Sequence, residues 1–162
     1  MANSKLLPVY KNLFGTDFDY HEFSDRVKMQ KAIYLLQEMG VPVGDYGFHW
    51  YLRGPYSQEL QDDMHEENKT RTWDERIVTR HSERLDALKN VIDAEEGKVY
   101  EPEEWMECLA SVHYLRENIM DFDASDDDII KELVKRSAEA DSKVSFKDSK
   151  ANAAANKLTK GL

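Results

Sequence analysis

Residues 48–60 read FHWYLRGPYSQEL, and the order of residue types in this stretch organises the reading of everything around it. Phe48, Trp50 and Leu52 alternate with His49, Tyr51 and Arg53, the period of a short strand with one face turned inward. Gly54 and Pro55 then stop the strand. Proline biases the residue before it away from the helical region, and glycine tolerates a sharp reversal. Ser57 stands where an N-cap belongs, ahead of a helix carrying Leu60 and Met64 on one face. The expectation is a short β-strand or hairpin near residues 46–53, a structural turn at Gly54, Pro55 and Ser57, and a helix behind it. The N-terminal amides of that helix place a local positive end beside Arg53.

Upstream, the spacing predicts a helix from about Lys5 to Phe14, capped by Ser4, with Leu6, Val9, Tyr10 and Leu13 on one stripe and Gly15 at its end. A second helix is predicted after Ser24. Met29, Ile33, Leu36 and Met39 make its stripe, and Ala32 and Leu35 widen it, which means burial over much of the circumference. Arg26, Lys28 and Lys31 are read as a basic edge. Residues from about Glu66 to Trp73 are polar and read as a loop.

Downstream, a helix is expected from about Arg80 to Glu96, with Leu85, Leu88, Val91 and Ile92 inward, broken at residues 97–101. Pro102 opens the longest apolar helix, with Trp105, Leu109, Val112, Ile119 and Phe122 on its stripe. Ser125 starts another, its first turn holding Asp126, Asp127 and Asp128, well placed against the helix dipole. A final helix over about 146–159, capped by Ser145 and frayed at its end, completes one domain over residues 1–162. The predicted fold class is mainly α. It is a compact helical domain of about seven helices with the short strand or hairpin, an arrangement also compatible with a winged-helix-like unit.

Composition narrows function. A hydrophobic fraction of 41% supports a core, while 33% charged residues keep the surface wet. The single cysteine, Cys108, forms no internal disulfide and fits a reducing compartment. With no apolar run near the roughly 20 residues that span a bilayer, the chain reads as cytoplasmic. A net charge of −10 weighs against nucleic-acid binding, which works by neutralising phosphates. The charge is uneven: residues 143–162 hold five lysines and one acid, Asp148, while Asp121, Asp123, Asp126, Asp127 and Asp128 crowd together. A solvated acidic surface explains this, and so does an acidic face for a basic partner.

Catalytic chemistry finds little support. His21, His49, His65, His81 and His113 fall on different elements without metal-ligand spacing. His65, near Asp62, Glu66 and Glu67, reads as helix-end charge, and His113 as a hydrogen-bonded near-core residue. Cys108 lies beside Leu109 on an apolar face with no histidine at a neighbouring turn, the setting of a buried thiol. Phosphate-binding and nucleophile-elbow motifs are missing from the sequence. No cofactor and no metal are expected.

The stretches RVKMQKAIYLLQEMG and FHWYLRGPYSQELQDDM resemble the YwgA-like group of bacterial proteins and, more distantly, the SocA-type or Panacea antitoxin domain. The pattern is carried by Gln30, Lys31, Tyr34, Leu35 and Leu36, then Phe48, Trp50, Tyr51, Gly54, Pro55, Tyr56, Ser57 and Leu60. WMECLASVHYL and the last helix are also similar to the YwgA-like group. The resemblance implies a helical domain with a small strand element, and antitoxin or protease-adaptor roles without catalytic residues.

Together these readings predict a non-enzymatic protein-binding regulator, an antitoxin-like or adaptor domain of a bacterial or phage toxin–antitoxin or defence system. Its partner would be a toxin, protease or defence protein, met as monomer or homodimer, and the partner-binding candidates are Lys28, Lys31, Tyr51, Arg53 and Tyr56. The alternative is an acidic nucleic-acid mimic, or a winged-helix-like protein associated with nucleic acid.

Overall fold

The computed structural model describes residues 3–95, 99–140 and 146–162. The chain runs through α1 (Leu6–Phe14), α2 (Phe23–Glu38), strands β1 (His49–Tyr51) and β2 (Gly54–Tyr56), α3 (Gln58–Thr70), α4 (Arg76–Arg80) and α5 (Ser82–Asp93). It continues through α6 (Pro102–Tyr114), a π-helical turn (Leu115–Ile119), α7 (Asp126–Glu139) and α8 (Ser149–Lys160). Among the described residues the fold is therefore helical, with eight α-helices and one two-stranded antiparallel hairpin.

α2 and α6 form the central pair, and α8 covers a further side of α6. α2 is buried without interruption from Met29 to Leu36, polar residues included, and α6 from Trp105 to Val112. Two helices wrapped on so many sides cannot show the alternating stripe of a surface helix. α1 and α5 close the other flank, where Leu6, Tyr10, Leu85 and Leu88 are fully buried. Each such side chain contributes about 1.5–3 kcal/mol of transfer free energy. β2 packs against both α2 and α6, so the hairpin is seated on the central pair.

Several local signals hold. Gly15 ends α1, its N–H bonding to Lys11 O at 2.8 Å. Ser57 caps α3, accepting from Leu60 N at 3.3 Å. Ser125 and Asp128 cap α7 reciprocally, and Pro102 sits in the first turn of α6 behind a Glu101–Glu104 capping box.

Other expectations need correction. α2 begins at Phe23, not after Ser24, because the Ser24 hydroxyl is drawn away to Glu103 Oε2 at 3.0 Å. Ser4 makes no cap hydrogen bond to α1. The polar stretch from Glu66 is not a loop until Arg71. Glu67 turns inward to meet the Thr72 hydroxyl, and this keeps α3 helical to Thr70. The short α4 adds a helix to the predicted seven.

The Trp105 stripe does not extend to Phe122. The Met120 N–H reaches Leu115 O at 2.8 Å, an i→i+5 bond, and one extra residue in a turn rotates all that follows by about 100°. Ile119 and Phe122 are thereby turned out to solvent. The last helix begins at Ser149, and its cap is Asp148, whose carboxylate accepts from Ala151 N at 2.9 Å. The predicted cap Ser145 and the predicted break at Gly97 and Lys98 lie outside the described residues. Phe146, expected inside that helix, instead has φ +44 and a buried ring.

Candidate functional site

The hairpin is held from below by two consecutive side chains of α2. Gln30 Nε2 donates to Ser57 O at 2.8 Å, and Ser57 N donates back to Gln30 Oε1 at 3.0 Å. The amide side chain therefore pairs with backbone as a neighbouring strand would. Lys31 Nζ donates to Pro55 O at 2.8 Å. Gly54 completes the seat, with φ +92, and a Cβ built there would stand 2.3 Å from Ser111 Oγ on α6. Only glycine meets both demands cheaply. Tyr34, one turn beyond Gln30, hydrogen-bonds His113 Nδ1 at 2.7 Å and packs edge-on against Phe48. Gly54, Pro55 and Ser57 are thus structural, and Gln30 and Lys31 are what they are fastened to.

On this base the hairpin pairs His49 with Tyr56, Trp50 with Pro55 and Tyr51 with Gly54. Its outer side closes a cleft of about 290 Å³ against the start of α2 and the first turns of α3. Phe23, Arg26, Lys31, Tyr51, Arg53 and Tyr56 line it. Phe23, Tyr51 and Leu52 are 50%, 53% and 57% exposed at its edges. The Phe23 ring lies under two guanidinium groups, 5.0 Å from Arg53 and 5.7 Å from Arg26. The Tyr51 and Tyr56 rings sit 5.4 Å apart. On the opposite side of the hairpin, Trp50 is stacked on Arg136 of α7 at 5.0 Å, so the tip is braced from both directions.

The predicted basic edge is not an edge. Lys31 is 3% exposed. Lys28 pairs with Asp25 at 3.6 Å and lies over the rings of Tyr10 and Phe14, away from the cleft. Of the five candidates, Tyr51, Arg53 and Tyr56 converge with Lys31 at its floor, and Lys28 does not join them. Arg26 takes its place, bonded to Tyr20 O and covering the Phe23 ring.

Beneath the cleft sits a charge that composition alone concealed. Glu107 of α6 is buried and meets Arg53 NH1 at 3.4 Å. Burial raises its carboxyl well above the ordinary glutamate range, and Lys31 and Arg53 pull it back. Burial likewise lowers Lys31, with Glu107 opposing and Arg53 reinforcing the shift. Sequence reasoning missed Glu107, Gln30, Phe23 and Leu52 as parts of this site, and it read Arg26 on the basic edge without naming it among the partner-binding candidates. For Glu107 and Gln30 a signal was present: each is a polar residue inside an unbroken buried run, where it needs a partner.

The remaining candidates are given over to packing. Cys108 is fully buried, its thiol pushed up by burial, and it donates weakly to Asn152 Oδ1 at 3.5 Å. His65 stacks against Tyr20. Among the described residues no group of three or more His, Cys, Asp and Glu side chains is arranged to hold a metal, and no helix is long and apolar enough to cross a membrane. The uneven charge is partly internal: Lys160 of α8 pairs with Asp126 at the start of α7 at 2.6 Å. No family model, curated protein or solved structure matches this chain.

Proposed function

We propose that this chain is a non-enzymatic, protein-binding regulator, an antitoxin-like or adaptor domain of a bacterial or phage toxin–antitoxin or defence system. It acts by holding a partner protein against the hairpin cleft. The observation that carries the reading is the grouping of Phe23, Tyr51 and Leu52, each about half exposed, with Arg53 and Tyr56 on a hairpin fastened to α2 and α6. Tyrosine and arginine dominate interface hot spots, and a pre-fastened surface loses little entropy on binding. The resemblance to the YwgA-like and Panacea groups points the same way. Affinity capture from the native host recovers a specific protein, and Tyr51→Ala releases it while the fold persists. Recovery of the same proteins with both forms refutes the reading.

A second reading, an acidic surface standing in for nucleic acid on a basic enzyme, draws on the segment that leads into α7. There Asp121, Asp123, Asp127 and Asp128 are all exposed around Phe122. It requires binding that weakens steeply with salt and is indifferent to Tyr51. Direct binding of nucleic acid is less well served, since Lys28 and Lys31 are turned to internal partners.

A further inference from the structure

The cleft differs from its surroundings in sign. The whole chain carries 32 acidic against 22 basic residues, yet among the described residues the cleft is lined by Arg26, Lys31 and Arg53 and by no carboxylate. Glu107 lies under Arg53, and their contact is long for a charge-assisted hydrogen bond, 3.4 Å against about 2.7–2.9 Å. It engages one terminal nitrogen of a guanidinium whose side chain is 35% exposed. A guanidinium offers five donors in a planar fork, so Arg53 retains the geometry for a bidentate carboxylate from outside. Lys31 spends one of three ammonium donors on Pro55 O.

Around these cations stand rings and an aliphatic side chain: Phe23, Tyr51, Tyr56 and Leu52. The volume of about 290 Å³ lies at the lower edge of the roughly 300–1,000 Å³ usual for small-molecule sites. It suits one large side chain and its neighbour.

We infer that the hairpin cleft takes an acidic peptide segment. The segment sets an aromatic or long apolar side chain against Phe23, Tyr51 and Leu52 and lays an adjacent carboxylate on Arg26 and Arg53. This rests on the docking role proposed above and names the chemistry of the partner's contact. Because the molecule as a whole is acidic, recognition is short-ranged: the carboxylate is repelled at a distance and held only inside the cleft. Partners with a basic contact segment are rejected by the same three cations.

The test uses the full chain, labelled with nitrogen-15, and three blocked tripeptides at millimolar concentration: Asp-Phe-Asp, Asn-Phe-Asn and Lys-Phe-Lys. The acidic peptide shifts the Arg26 and Arg53 side-chain N–H signals and the backbone amides of residues 49–56. The neutral peptide binds about tenfold more weakly, as loss of a charge-assisted contact predicts, and the basic one leaves these signals in place. Leu52, exposed at the rim, accepts either charge without cost to folding. Leu52→Lys and Leu52→Glu give up the same apolar contact, so the acidic peptide binds the Leu52→Lys form several-fold more tightly than the Leu52→Glu form.

Equal responses to the three peptides overturn the inference, as does indifference to the charge at residue 52. So does a full response to acetate alone, which would mark a bare anion site. If a captured host partner keeps its affinity after its contact acids are neutralised, the inference fails and the docking role stands. If the peptides bind selectively but no host partner is recovered, the docking role fails and the acidic-peptide specificity of the cleft stands.

Discussion

Gly54 bears two independent constraints, a left-handed backbone and the Ser111 hydroxyl 2.3 Å from where a Cβ would be. Gly54→Ala should destabilise the fold by about 2–4 kcal/mol, combining backbone strain with overpacking. Adding Ser111→Ala should restore only the steric part, so urea unfolding of the four-member cycle shows a non-additive pair. Full additivity would mean that α6 gives way instead.

Gln30 bears a different demand. Gln30→Ala leaves the buried N–H of Ser57 without its partner, while Ser57 O keeps the Gln61 N–H at 3.1 Å, so the loss is about 1–3 kcal/mol; a loss within error would show that water replaces the amide. Glycine-proline chemistry made the turn legible in sequence. Its fastening was not legible, because a helix rich in buried residues gives no sign of which polar ones face a strand.

Two buried titratable groups act on stability with opposite sign. Burial holds Glu107 up to about 7 from an ordinary 4.5. Between those values the folded chain keeps a proton that the unfolded chain has released, so this site costs stability as pH rises. His113, lowered from 6.5 to about 4 by burial and then by Arg116, with Glu117 opposing, stays neutral where the unfolded chain is protonated. Its contribution is lost as pH falls from 6.5 toward 4. Glu107→Gln should therefore make stability climb more steeply from pH 4.5 to about 7 than in the parent chain. His113→Gln should flatten the acid side. Denaturant curves across that range check both, and unchanged slopes would place the two groups in solvent.

Among the elements, α8 is anchored through a buried polar side chain. Asn152 is fully buried. It donates to Phe146 O at 2.7 Å and accepts from Tyr100 OH at 2.7 Å, tying the positive-φ residue before the helix to the segment before α6. Asn152→Ala should cost about 2–4 kcal/mol, the sum of unpaired buried groups and a small cavity. A change in the midpoint of denaturant unfolding measures it, and a surface-like loss under about 0.5 kcal/mol would contradict this role.

The existence of α8 was readable from its small-residue spacing. Its start was not, because Ser145 and Asp148 are equally good caps in sequence and the choice fell to the geometry around Phe146. The π-helical turn escaped for a related reason. Its extra residue is set by tertiary bonds, with Arg116 NH1 reaching Asn156 Oδ1 at 2.9 Å and Thr159 Oγ1 at 3.2 Å. Periodicity carried straight through to Phe122 could not register it.

At the scale of the whole molecule, the fold class was legible because long buried helices and a Gly-Pro turn leave strong local marks. The site was legible by halves. Tyr51, Arg53 and Tyr56 share one turn in sequence, whereas Phe23 and Arg26 reach the cleft only through the packing of α2. Lys28 and Lys31 misled because a lysine on a helix reads as exposed until the helix is known to be wrapped on most sides. The result is an acidic protein with a cationic, aromatic-rimmed hollow on a braced hairpin.

The central claim is that this hollow is where a partner docks. The most direct measurement is the affinity of the captured partner for the parent chain, Tyr51→Ala and Leu52→Ser, read beside the melting temperature of each. Both residues are more than half exposed, so the melting temperatures should coincide while affinity falls about tenfold or more, as for hot-spot truncation. Undiminished affinity in both variants would contradict the claim, as would losses that merely follow a falling melting temperature.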